Sequence, residues 1–248
     1  MYQEYHKEYS YYLQREMEFK VYGRGGKPVL VFPCQNGRFF DWEGFGMLDT
    51  LGDYLEEEKI QLFCVDTIDS ETLSNRHGNP YDRVRRHEAW YNYIVEEIVP
   101  RIHGINGDSQ GILTTGFSMG AYHAANFFFR RPNLFDSVIA LSGIYDTNDM
   151  YDGYMDEVVY ANDPCVSLSN MPPDHPYIQM FNQRKIIICV GQGAWEGPLL
   201  EGTRRLDAVL RSKGIHAWVD YWGLDVNHDW PWWKKQIRYF LPQVVGEP

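Results

Sequence analysis

The sequence predicts an α/β protein with a mostly parallel central sheet and helices on both faces. Three observations predict it. Short continuous apolar runs recur at residues 28–33, 62–66, 137–142 and 186–190, as strands buried on both faces require. Longer helical patterns alternate with them, which is the order of a parallel sheet joined by crossover helices. Finally, Gly116-Phe117-Ser118-Met119-Gly120 follows a β-branched apolar run. It leads into small and aromatic residues that end at Arg130-Arg131-Pro132. That pattern reads strand, sharp turn, helix, with Pro132 just past the helix end.

Taken in order, residues 9–15 read as a first strand. Residues 17–22 alternate apolar and polar, as a half-exposed antiparallel strand does. Gly23-Arg24-Gly25-Gly26-Lys27 is the turn to the buried strand 28–33, and a loop with Asn36-Gly37 follows. Residues 49–59 read as a helix, 62–66 as a strand and 67–80 as a polar loop. Residues 83–102 form a long amphipathic helix with Trp90, Tyr91, Ile94 and Ile98 at helical spacing. After the Ser118 turn come a strand at 137–142 and an irregular stretch at 145–183, rich in Tyr, Asp and Pro. That stretch exceeds an ordinary connection and is read as a cap-like insertion over the site. A strand at 186–190, a helix at 199–212, a strand at 216–221 and a helix at 232–244 complete a single domain spanning 1–248.

Composition narrows the partners. A chain of 248 residues, 44% hydrophobic and 16% aromatic, can bury a large core. A formal net charge of −11 argues against nucleic acid and anionic membrane surfaces. Cys34, Cys64, Cys165 and Cys189 are scattered without metal-type spacing, so no metal site and no cofactor are expected. Arg83-Val84-Arg85-Arg86-His87 is read as the solvated face of a helix. The polar N-terminus lacks a secretory leader pattern and no run has membrane-spanning length, so a soluble cytoplasmic protein is expected. A homo-oligomer stays open.

Ligands of open parallel sheets bind beyond the carboxyl ends of the strands, so the chemistry should lie on loops that follow strands. Ser118 sits on such a turn. G-x-S-x-G is the nucleophile elbow of α/β-hydrolases: the glycines admit close backbone, and the helix start sets the Met119 N–H beside the serine. A serine needs a base, a carboxylate to orient the base, and donors for the oxyanion. In this fold the acid and then the histidine follow the serine in the chain. His228, after the last strand and before the last helix, fits the base. His123 lies on the elbow helix, poorly placed to turn back to Ser118. Glu196 is the only carboxylate in the loop after strand 186–190, so it is the preferred acid. Asp225, three residues before His228, is the rival. The Met119 N–H supplies one oxyanion donor. The second comes from the loop after Pro33, from Cys34 or Gln35, with Gln35 preferred.

Phe32-Pro33-Cys34-Gln35-Asn36-Gly37-Arg38, Gly116 to Ala121, Gly191 to Glu196 and Asn227-His228-Asp229-Trp230 together resemble the putative esterase family of α/β-hydrolases. That family includes esterase D (S-formylglutathione hydrolase), feruloyl and acetyl-xylan esterases, and mycolyltransferases. The resemblance runs from about residue 19 to the end. Esterase D proteins have G-H-S-M-G-G where Phe117 and Ala121 stand here, an H-G loop in place of Pro33-Cys34, and an Asp as the acid. The resemblance implies an α/β-hydrolase fold and a serine esterase acting on a small or polar ester through an acyl-enzyme. An acyltransferase of the same fold and a non-catalytic binding protein are the alternatives. Trp218, Trp222, Trp230, Trp232 and Trp233 are read mainly as core, with one or two lining the site.

Overall fold

A computed structural model describes residues 2–108 and 110–248. Its centre is one eight-stranded sheet: β1 (Gln3–Ser10), β2 (Arg15–Tyr22), β3 (Lys27–Phe32), β4 (Ile60–Val65), β5 (Ile112–Phe117), β6 (Phe135–Leu141), β7 (Lys185–Val190) and β8 (Trp218–Tyr221). The spatial order is β1-β2-β4-β3-β5-β6-β7-β8. Only the β1–β2 and β2–β4 pairs are antiparallel; the remaining pairs are parallel.

Side chains of the central strands alternate between two cores, because successive residues of a strand point to opposite faces. Leu30, Phe32, Val138, Ala140, Ile186 and Ile188 enter one core. Val29, Val31, Ile139, Leu141, Ile187 and Cys189 enter the other. A fully buried aliphatic side chain contributes about 1.5–3 kcal/mol, so both faces are held strongly.

The first face is covered by α1 (Pro80–Tyr93), α2 (Val99–Asn106), α3 (Met119–Arg130) and α4 (Gly197–Ser212). The Asn79 side chain caps α1 by accepting the Tyr81 N–H, with Pro80 at the first position. A single π-turn, Ile94–Ile98, joins α1 to α2. Pro100 lies just beyond it. A proline would clash with the carbonyl four residues back in a regular helix, and the wider turn relieves that conflict. The second face is covered by α5 (Trp230–Phe240) and short helices between residues 41 and 56.

Several expected bounds move. The first strand is residues 3–10, not 9–15: residues 11–14 are a turn, in which Gln14 has φ +57° and Leu13 N–H bonds Ser10 Oγ at 3.1 Å. The expected helix at 49–59 is two short pieces, Met47–Thr50 and Gly52–Glu56. The last strand begins at Trp218 rather than His216.

Residues 145–183 carry short helices, Glu157–Ala161, Pro164–Ser169 and Pro176–Phe181. Cys165, Leu168 and Phe181 join the first core, and Tyr122 of α3 donates to the Asn162 carbonyl at 2.7 Å. Much of the stretch is therefore packed along the flank of the elbow helix. Its first residues, Asp146 to Met150, border a cleft of about 280 Å³ with Arg76, Pro198 and Arg205.

Candidate active site

Ser118 sits between β5 and α3 with φ +56° and ψ −123°, a conformation that L-residues rarely adopt. Such strain costs of order 1–3 kcal/mol and persists only where the surroundings impose it. Those surroundings are visible. A Cβ on Gly116 would strike the Gly120 backbone, and one on Gly120 would strike the Phe32 and Pro33 carbonyls. The elbow helix thus rests directly on the end of β3. Phe117 points into the other core, stacked between Trp42 (5.0 Å) and Trp233 (5.3 Å).

His228 Nε2 lies 3.0 Å from Ser118 Oγ, and its Nδ1 lies 3.4 Å from Glu196 Oε2. An ionised carboxylate only accepts, so the facing Nδ1 carries the proton and Nε2 is left to accept from the serine hydroxyl. Glu196 is 1% exposed. Its Oε1 accepts the Ser142 hydroxyl at 2.7 Å, and Ser142 Oγ accepts the Trp233 indole N–H at 3.3 Å. Trp233 also meets the His228 ring edge-on, with centroids 4.8 Å apart. Buried polar groups are costly unless paired, and this relay pairs each of them.

Two loops carry the acid and the base, and they are bonded to each other. Gly193 N–H donates to the Val226 carbonyl (2.8 Å), His228 N–H to the Ala194 carbonyl (3.0 Å) and Ala194 N–H to Asn227 Oδ1 (2.8 Å). A Cβ on Gly193 would collide with Asn227 and Val226. Trp195 takes φ +68° and is 85% exposed, which leaves Glu196 turned inward.

The loop after β3 turns sharply. Gly37 N–H bonds the Cys34 carbonyl at 2.8 Å, and Asn36 has φ +57°. A positive φ at the third residue is the mark of a type II turn. Gln35 Nε2 donates to Ser74 Oγ at 2.9 Å. Cys34, in the same turn, has its thiol pushed up to about 12 by burial and by nearby Asp41 and Asp69, so it holds almost no thiolate at neutral pH.

The fold therefore brings Ser118, His228 and Glu196 into one relay. Asp225 is exposed, and the carboxylate facing His228 Nδ1 belongs to Glu196. His123 turns away from Ser118 to Asp69. Trp230 and Trp233 belong to this region, whereas Trp218 and Trp222 pack on Phe240 at the sheet edge. Ser142 escaped the sequence reading. Its signal is faint: a serine at the end of a buried strand, before Gly143; in the fold it takes φ +57°.

A serine on a sharp strand-to-helix turn, a histidine and a buried carboxylate on three loops at one end of a parallel sheet define the α/β-hydrolase class. The profile of the family described as "Putative esterase" matches residues 10–243. The chain belongs to that family and is a carboxylic ester hydrolase. No curated protein matches it by sequence. Among solved structures, it is similar to a ferulic acid esterase, at 16% identity and a TM-score of 0.77, with 98% of each chain covered. It is similar to the S-formylglutathione hydrolase of Staphylococcus aureus, at 15% identity and 0.72, with 98% of this chain and 97% of that one covered. A fluorophosphonate-binding serine hydrolase of Staphylococcus aureus aligns at 15% identity and 0.75, with 99% of each covered.

Proposed function

We propose that Ser118 is the nucleophile, His228 its general base and Glu196 the orienting acid, in hydrolysis of a small or polar carboxylic ester. The observation that carries the assignment is the continuous relay from Ser118 Oγ through His228 to buried Glu196. Ser118 Oγ attacks the ester carbonyl as its proton passes to His228 Nε2. The carbonyl oxygen becomes an oxyanion held by the backbone N–H groups of Met119 and Gln35. The imidazolium returns its proton to the leaving alcohol, giving the acyl-enzyme. Water then repeats the sequence, with His228 as base, and releases the acid.

A fluorophosphonate probe tests the nucleophile. It should label the wild-type protein at Ser118 and leave Ser118→Ala unlabelled. Equal labelling of the variant removes Ser118 from the mechanism.

Substrate size is read from a cleft whose lining includes Pro198, two residues after Glu196. Arg76, Asp146, Asp149 and Arg205 also line it, with Ile144, Met150 and Pro198 as its apolar share. Residues 145–150 thus act as the cap-like part of the 145–183 stretch, and a polar wall rewards short or polar groups over long alkyl chains. Acetyl and propionyl p-nitrophenyl esters should be turned over with at least tenfold higher kcat/KM than dodecanoyl esters. That ratio is about 1.4 kcal/mol in transition-state binding. A preference for the long chain overturns this part of the proposal.

A further inference from the structure

Behind the elbow lies a second histidine–carboxylate pair that the relay does not use. His123 Nε2 and Asp69 Oδ1 are 2.9 Å apart, and both residues are buried. The other oxygen, Asp69 Oδ2, accepts the Asn36 N–H at 3.4 Å. Asn36 is the positive-φ residue of the Cys34–Gly37 turn.

The pair is held from all sides. The His123 ring is boxed by Trp90 (4.7 Å), Tyr122 (5.2 Å), His87 (5.6 Å) and Phe32 (5.9 Å). Phe32 is the last residue of β3, where the oxyanion loop begins. Desolvation, helped by neighbouring His123, drives His87 down to about 3, so it stays neutral in this box. Asp69 opens a short 3₁₀ turn, Asp69–Glu71, and its own carbonyl accepts the Ser74 N–H at 2.8 Å. Ser74 in turn holds the Gln35 side chain. The segment after β4 therefore grips both central residues of the turn: Gln35 by its side chain, Asn36 by its amide.

We infer that Asp69 and His123 are positioning residues for the oxyanion hole: by anchoring the Gln35–Asn36 peptide they hold the whole Cys34–Gly37 turn, and with it the adjoining Cys34–Gln35 peptide, whose Gln35 N–H faces the reacting carbonyl. The inference rests on the reading of Gln35 as an oxyanion donor. Its physical basis is the turn. Types I and II differ by rotation of the central peptide, and only type II aims the Asn36 N–H at Asp69. Without that acceptor the central peptide is free to rotate about ψ of Gln35 and φ of Asn36, and the adjoining Cys34–Gln35 peptide, which carries the Gln35 N–H, loses the turn that fixes its orientation. His123 fixes the carboxylate, and the aromatic box fixes His123.

The test separates hole geometry from general damage. Deleting an oxyanion donor costs about 10²–10³ in kcat. Loosening one should cost about 10–100-fold with KM within twofold, so Asp69→Ala should show that fall on p-nitrophenyl acetate. The specific readout is the rate ratio between the ester and its thionoester, whose sulfur is a poor hydrogen-bond acceptor. The wild type should favour the oxygen ester strongly, and Asp69→Ala should bring the ratio down by about the same factor as kcat.

Asp69→Asn should recover most of the loss. Its amide oxygen can accept from Asn36 while its NH₂ donates to His123 Nε2, since His123 Nδ1 has no partner among the described residues and can take the ring proton. Asp69→Leu keeps the volume without the acceptors, and it repeats the test if the alanine variant aggregates. An unchanged kcat in the folded alanine or leucine variant overturns the inference, as does a fall in kcat with an unchanged thionoester ratio. Fluorophosphonate labelling of the same samples distinguishes the two failures. If Ser118 is labelled, only the role of Asp69 and His123 is lost. If it is not, the reading of the active site falls with them.

Discussion

Replacing His228 by alanine should lower kcat for a p-nitrophenyl ester by about 10⁴–10⁶-fold, with KM nearly unchanged. His228 Nε2, 3.0 Å from Ser118 Oγ, is the acceptor placed for the serine proton. Without it the nucleophile remains a neutral hydroxyl near pH 7. In the proposed mechanism the same ring is needed again to protonate the leaving alcohol, so one substitution would remove two steps. Folding should survive, because the His228 side chain is partly exposed and its backbone bond to Ala194 does not depend on the ring. Steady-state kinetics with a melting curve decide it. Added imidazole should restore a measurable part of the rate by entering the space left by the ring. A variant that keeps more than a tenth of wild-type kcat would mean that another base serves Ser118.

Glu196→Gln comes next, with an expected fall in kcat of about 10³–10⁴-fold. Glutamine keeps the length of the side chain and one acceptor oxygen, and it can still accept from Ser142. Turned to satisfy Ser142, it presents its NH₂ to His228 Nδ1. Two donors then face each other unless the ring proton moves to Nε2, where it blocks acceptance from Ser118. The charge that stabilises the imidazolium is lost as well. Asp225→Asn is the control: exposed and outside the relay, it should stay within about twofold, like most surface substitutions. Dead Asp225→Asn beside active Glu196→Gln would exchange the two assignments.

Much of this arrangement is legible in the sequence because local rules dictate it. The Ser118 turn needs glycine where two backbones meet, and a G-x-S-x-G between a β-branched run and a helical run records that need. His228 and Glu196 are legible by position, each on a loop that follows a buried strand. What is not legible depends on residues far apart in the chain. Ser142 reaches Glu196 across 54 positions and Trp233 reaches Ser142 across 91. Asp69 meets His123 across 54, and no periodicity marks either one. The misplaced first strand has a different cause. Tyr9, Tyr11 and Tyr12 have high strand propensity, yet the Tyr11 and Tyr12 amides donate to Glu97 and the chain reverses there. The broken helix near residue 51 reflects Gly52, which is costly inside a helix.

The position of β8 places the base loop on a weakly held margin of the sheet. It is the last strand of the sheet, four residues long, paired on one side only and nowhere fully buried. The base loop hangs directly from it, tied back by the Trp222 N–H to the Val190 carbonyl and by the Gln192 N–H to the Gly223 carbonyl. Ser118, by contrast, ends β5, which is buried throughout and flanked by β3 and β6. Opening free energies differ across a fold, lowest at frayed edges and highest in central strands. Unzipping the β8 margin, together with the bonds that tie residues 226–228 to Gly193 and Ala194, would carry His228 away from Ser118, which stays in place. The proposed catalytic assembly is thus tied to the edge's local opening equilibrium, and its working range in heat or denaturant should be narrower than that of the protein as a whole.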